Sequence, residues 1–176
     1  MSLERLWAGW RSDYIAGVTA DETSPPEADR DEAMCVFCRI LASDAPDAET
    51  YVVWRGERAA VILNAYPYTS GHVLALPVRH VSELEDLDAD EAVALWGAVT
   101  DSVRALKAAY RPEGINVGAN IGRGAGAGIP GHFHVHALPR WAGDTNFMTS
   151  VAETRVMPET LSVTWDRIRT AWPPTT

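Results

Sequence analysis

The chain is short of the residues that mark several large classes of protein. Among 176 residues there are two cysteines, Cys35 and Cys38. They stand too close together to act as an ordinary long-loop staple, which argues against a disulfide scaffold and for a cytoplasmic protein. Basic residues are scarce: 15 Lys and Arg face 24 Asp and Glu, for a formal charge of −9. Non-specific binding to nucleic acid or to acidic membranes needs a basic footprint, so neither is expected as a partner. A small anionic substrate stays compatible, because a local site can be electropositive on an acidic protein. No apolar run is long enough to span a bilayer. The opening Met1-Ser2-Leu3-Glu4-Arg5-Leu6-Trp7 lacks the apolar stretch of a secretory signal, so no signal peptide is expected. Histidine is also rare, with five residues in all.

Three of those five histidines fall together, in His132-Phe133-His134-Val135-His136. A strand has a side-chain period of two, so the three imidazoles would share one face and Phe133 and Val135 the other. Imidazole is the side chain best suited to nucleophilic or proton-transfer work near neutral pH. Clustered titratable groups usually mark a site, which sets a reaction centre above a His-rich solvated face. A hydrolytic zinc centre is the other alternative, since His residues at i, i+2 can share one metal.

The rest of the composition provides a core. Apolar residues make up 47% of the chain, and seven Trp imply large buried or pocket-lining surfaces. Leu3, Leu6, Trp7, Trp10 and Tyr14 fit one side of a short helix, read as a docking arm. The acidic, Pro-containing stretch 19–32 reads as a linker. Residues 1–33 are thus an arm and acidic linker, 34–150 the compact domain and 151–176 a C-terminal helical extension. Cys35 to Leu41 reads as a short helical turn. Strands are expected at 51–54, 59–63, 72–77, 115–121 and 132–138, with Arg55-Gly56-Glu57-Arg58 closing the first hairpin. Asp88 through Tyr110 is the strongest helix, with Ala92, Trp96, Val99, Val103, Leu106 and Tyr110 at the 3.6 period. Asp88 and Glu91 form a capping-box pattern. A last helix starts near Pro158 and carries Leu161, Trp165, Ile168 and Trp172. Antiparallel strands with one long inserted helix indicate an α+β fold rather than a parallel doubly wound sheet.

The loop Gly122-Arg123-Gly124-Ala125-Gly126-Ala127-Gly128-Ile129-Pro130-Gly131 contains a formal G-x-G-x-x-G. No helix pattern follows it, so the dinucleotide fingerprint does not apply. Small residues such as Gly126 and Gly128 instead let backbone N–H groups approach an anion, and Arg123 adds a positive charge. A plain hairpin loop is the alternative. Cys35-Val36-Phe37-Cys38 alone is a weak signal for a metal, a redox pair or two buried thiols. With His80, just after the third strand, and His132, it supplies four ligands for a closed, structural zinc site. No organic cofactor is expected.

These motifs resemble the histidine triad family of nucleotidyl hydrolases and transferases. The resemblance rests on His132-Phe133-His134-Val135-His136-Ala137-Leu138, Asn64, Pro67-Tyr68-Thr69-Ser70-Gly71-His72-Val73-Leu74-Ala75-Leu76-Pro77 and Cys35-Val36-Phe37-Cys38. It runs from about Leu6 to Leu161. The opening Arg5-Leu6-Trp7 with Trp10-Arg11 and Tyr14, and the closing Pro139-Arg140-Trp141-Ala142-Gly143-Asp144-Thr145-Asn146-Phe147, look like the bacterial branch similar to diadenosine tetraphosphate phosphorylases.

The resemblance implies an antiparallel five-stranded sheet in an α+β domain whose homodimer joins two sheets. It implies that His134 attacks an α-phosphorus, that His132 orients it and serves as a metal ligand in zinc-carrying members, and that His136 and His72 support the phosphate and the triad. Asn64 is expected near the ribose and Asn120 near the phosphates, with Ile62, Gly126 and Gly128 also on the substrate side. Many members carry a Ser, Thr or Gln shortly before the first triad His. Here Gly128, Ile129 and Pro130 stand in those places, leaving backbone N–H groups for the phosphate.

The expected substrate is therefore an adenine nucleotide, foremost a dinucleoside polyphosphate, cleaved through a covalent His–AMP intermediate. An adenosine phosphoramidate hydrolase, a non-catalytic nucleotide-binding protein and a His-ligated zinc hydrolase are the alternatives.

Overall fold

A computed structural model describes residues 35–144 and 158–174. The arm at 3–15, the linker at 19–32 and the closing Thr145-Asn146-Phe147 lie outside the described residues. In chain order the elements are α1 (Val36–Leu41), α2 (Asp47–Thr50), β1 (Val52–Arg55), β2 (Ala59–Leu63), β3 (Val73–Pro77), α3 (Ala89–Tyr110), β4 (Gly114–Gly118), β5 (Val135–Arg140) and α4 (Leu161–Thr170). The strands form one antiparallel five-stranded sheet in the order β1-β2-β3-β5-β4. This is the α+β architecture expected. No helix among the described residues is long and apolar enough to cross a membrane.

The sheet has two buried faces. On one, α3 and α4 cover Val53, Val61, Val73, Ala75, Val135 and Ala137, with Leu95, Leu106 and Ile168 supplied by the helices. On the other, Val52, Ile62, Leu74 and Leu76 pack with Cys35 and Phe37. Strand alternation produces this division, since Val61 and Ile62 serve opposite faces.

The long helix begins as the sequence indicates. The Asp88 carboxylate accepts from the Glu91 N–H at 2.8 Å, and the Glu91 carboxylate accepts from the Asp88 N–H at 3.0 Å. Glu91 also holds Arg79 through two bonds of 2.7 Å, which ties the segment after β3 to the start of α3. The Arg79 hydrogen bonds, with the Asp88 N–H next in weight, hold the Glu91 carboxyl down at about 2.

The buried face of α3 differs from the expected one. Glu91, Leu95, Ala98, Val99, Ser102, Ala105 and Leu106 are buried, whereas Trp96 is 50% exposed. Small residues at 98, 102 and 105 let the helix axis approach the sheet, and the bulky Trp96 stays outside. Strand boundaries also shift, most at the end of β4 and the start of β5. β4 ends at Gly118 rather than Ile121. β5 begins its ladder at Val135 rather than His132. Pro77 ends β3 and has no N–H to continue the ladder, its carbonyl lies 2.9 Å from His132 Nε2, and the Phe133 N–H bonds to the Val81 carbonyl at 2.6 Å.

Candidate functional site

The site is built where β3, β4 and β5 run side by side. Leu74 of β3 and Gly118 of β4 flank His136 in register. The alternation anticipated for the triad holds beyond the regular ladder. Phe133, Val135 and Ala137 enter the core beneath α3, while His132, His134 and His136 project to the other face. The His134 and His136 ring centres are 5.0 Å apart.

Hydrogen bonds fix the proton on each ring. His134 Nδ1 is 2.8 Å from the His132 carbonyl. A carbonyl only accepts, so Nδ1 carries the proton and Nε2 keeps its lone pair. The Tyr68 N–H donates to His72 Nδ1 at 3.1 Å, which leaves the His72 proton on Nε2. That Nε2–H donates to His136 Nδ1 at 2.9 Å, so His136 in turn carries its proton on Nε2. His136 Nε2 is buried and has no hydrogen-bond partner among the described residues. One unspent donor and one free ring lone pair thus occupy neighbouring rings.

Burial favours the neutral form of His134 and His136. It pushes His136 down to about 4, with the neighbouring His134 adding to the effect, and it lowers His134 as well. His134 is held from one side by the edge of Phe37, whose ring centre is 5.1 Å away.

Gly71 makes the approach of His72 possible. Its φ is +83°, and a Cβ there would come within 2.8 Å of the Tyr110 ring. The turn before it is closed by the Asn64 N–H, which bonds the His72 carbonyl at 2.9 Å. The Asn64 side chain lies against His72, its Nδ2 being 3.3 Å from Nδ1, and its Oδ1 accepts from the Tyr66 N–H at 2.9 Å. Ile62 is buried in the apolar cluster with Leu74 and Phe37. Asn120 is half-buried after β4. Gly126 and Gly128 are exposed in the loop. Gly126, with φ +88°, donates its own N–H to the Arg123 carbonyl at 2.9 Å.

The other four-residue group sits directly behind the triad. One ligand atom each from Cys35, Cys38, His80 and His132 lies within 4.8 Å of the others, and both cysteines are free thiols. The His132 Nδ1 is 3.4 Å from Cys35 Sγ and 3.5 Å from Cys38 Sγ, and His80 Nδ1 is 3.4 Å from Cys38 Sγ. Tetrahedral zinc with ordinary Zn–S and Zn–N bonds places sulfur and nitrogen ligands about 3.5 Å apart. The donor set and spacing therefore fit that ion. His132 Nε2 lies 2.9 Å from the Pro77 carbonyl, which puts its proton there and turns the Nδ1 lone pair toward the sulfurs.

The structure brings the triad, His72, Asn64 and the four Cys/His residues into one region. It also adds two residues to which the sequence reading gave no role. Phe37 contacts His132 and His134, and the Tyr68 ring lies 4.6 Å from that of His72. Phe37 stands in a six-residue helix too short to show a period. Tyr68 stands in a turn, where aromatic residues carry no positional signal.

The chain is similar to known proteins. The HIT domain model matches residues 45–143. An AP-4-A phosphorylase of Mycobacterium tuberculosis is 39% identical over 170 residues, which is 97% of this chain and 85% of that protein. Among solved structures, a hypothetical histidine triad nucleotide-binding protein from Sulfolobus tokodaii superposes with a TM-score of 0.64 at 31% identity, over 78% of this chain and 91% of that one. A Zn-bound histidine triad family protein from Mycobacterium smegmatis gives 0.65 at 27% identity, over 80% and 94% of the two chains.

Proposed function

The chain belongs to the histidine triad (HIT) family, and from that premise we propose that it is a nucleotidyl hydrolase or transferase. Its substrate is an adenine nucleotide, foremost a dinucleoside polyphosphate, as for the mycobacterial AP-4-A phosphorylase. The observation that carries this reading is the state of His134: a buried, neutral imidazole with its proton fixed on Nδ1 by the His132 carbonyl. Its Nε2 lone pair attacks the α-phosphorus, and the bond from phosphorus to the leaving phosphate oxygen breaks. The leaving oxygen is met by the unspent His136 Nε2–H, held on that nitrogen by the bond from His72. Water or inorganic phosphate then cleaves the phosphorus–nitrogen bond, releasing AMP or ADP and restoring His134. N–H groups of the Gly-rich loop and the side chains of Asn64, Asn120 and Ile62 contribute to nucleotide binding.

The group Cys35, Cys38, His80 and His132 holds zinc in a closed structural site; when bound, the ion crosslinks these segments. Among the described residues this is the only group of three or more His, Cys, Asp or Glu placed to hold a metal. His134 lies outside it, which favours nucleophilic chemistry over a zinc hydrolase built on the triad. We also propose that two copies pair along β4, the sheet edge that no element covers among the described residues. The dimer should show twice the chain's mass in solution.

Incubation with diadenosine tetraphosphate, with and without phosphate, tests the reaction. ADP with ATP marks phosphorolysis, and AMP with ATP marks asymmetric hydrolysis. His134→Asn should abolish turnover and leave nucleotide binding intact; near-normal turnover in that variant overturns the covalent role.

A further inference from the structure

The β2–β3 turn carries two aromatic rings that the triad chemistry leaves unused. Tyr66 is 86% exposed and Tyr68 is 46% exposed, with Pro67 between them. Their support is stiff. The Tyr66 N–H is tied to Asn64 Oδ1 at 2.9 Å and the Tyr68 N–H to His72 Nδ1 at 3.1 Å. The Thr69 hydroxyl donates to the Pro139 carbonyl at 3.0 Å, and Pro67 restricts the backbone between the rings.

Their position is also specific. The Tyr68 ring runs nearly parallel to His136, at 14° and 6.0 Å between centres. His136 is the ring whose unspent Nε2–H meets the leaving oxygen in the reading above, so Tyr68 flanks the leaving-group side of the site, and Tyr66 stands exposed two residues before it in the same turn. From Asn64 to His72 the chain holds no Lys, Arg, Asp or Glu. This ledge has no charge with which to grip phosphate; what it offers is aromatic surface and phenol hydroxyls. That chemistry suits the face of a nucleobase, which stacks on aromatic rings with little dependence on which base it is.

We propose that Tyr66 and Tyr68 form a stacking ledge for the second nucleobase of a dinucleoside polyphosphate, the base carried by the leaving group. The proposal rests on the nucleotidyl reading and narrows its substrate class to compounds whose leaving group ends in a nucleoside. Two ligands separate the base from the phosphate chain: diadenosine tetraphosphate, and adenosine 5′-tetraphosphate, which has the same chain and no second base. Calorimetric titration of the full chain carrying His134→Asn prevents turnover. Adding Tyr66→Ala should raise the Kd for diadenosine tetraphosphate about tenfold, the scale of one lost base–aromatic stack. The Kd for adenosine tetraphosphate should stay unchanged, and Tyr66→Phe should behave like tyrosine. Equal weakening of both ligands, or of neither, overturns the ledge. If the protein with His134 intact binds both ligands and cleaves neither, the catalytic reading fails while the ledge stands. If it binds neither, both fail.

Discussion

At the scale of single residues, the triad is defined by protons placed by neighbours. His134 and His136 have the same ring and stand two positions apart on one face, yet one presents a lone pair and the other an N–H. The difference comes from a carbonyl at His132 and from the chain Tyr68 N–H, His72, His136. Burial supplies the second ingredient by disfavouring the charged imidazole. The sign of the consequence is definite. The free imidazole titrates at about 6.5, and His136 in the folded chain at about 4. Between those values the unfolded chain takes up the proton first, so this contribution to stability is complete above about pH 6.5 and disappears as the pH falls toward 4. An NMR titration of the His136 ring should show its midpoint near 4, together with a falling urea midpoint across that window. A ring that titrates near 6.5 contradicts the buried neutral state. The triad itself was legible in the sequence because its residues are contiguous. The partners of the triad were less so: Cys35 and His132 are 97 positions apart, and only ligand chemistry suggested pairing them. Phe37 and Tyr68 offered no such chemistry, and only the fold brings them to the rings they touch.

At the scale of elements, local signals were readable and orientations were not. The capping box of α3 lies within four consecutive residues, and the folded chain forms it as written. The buried face of the same helix needed information the sequence does not contain. Apolar residues lie on more than one side, and the choice between sides depends on how closely the axis can approach the sheet. Ala98, Ser102 and Ala105 permit a close approach, and the Ser102 hydroxyl is satisfied within the helix by the Ala98 carbonyl at 2.7 Å. Leu95, fully buried, is therefore an anchor of this face, although the expected stripe left it out. Leu95→Ala should cost about 2–5 kcal/mol in urea unfolding, the usual range for emptying a well-packed core site. A cost under about 0.5 kcal/mol, typical of exposed positions, would restore the stripe through Ala92 and Trp96.

At the scale of the whole molecule, the sheet is asymmetric and the segment that carries the triad is tied in from behind. The β1 edge is covered by α4: the Trp165 indole N–H bonds the Val52 carbonyl at 2.8 Å, and Arg169 bonds the Val53 carbonyl at 2.9 Å. With one edge closed and the β4 edge open, the proposed pairing of two copies would terminate as a closed pair instead of a growing stack. The Cys/His group adds a tie that the sheet alone does not provide. It draws together α1 and its N-cap, the turn after β3 and the residue that opens the triad, all distant in sequence. His132 belongs to this group through its ring and holds His134 through its carbonyl. Loss of the metal should therefore first loosen the fold, and reach catalysis only as His132 shifts and releases the His134 N–H. The purified chain is expected to carry about one zinc per copy. A chelator should lower the thermal midpoint, activity should decline in step with that loss, and Cys38→Ser should reproduce both effects. Immediate loss of turnover with an unchanged thermal midpoint would instead place the metal among the reacting groups. A chain that carries no zinc and ignores the chelator would leave the four ligands without a structural role.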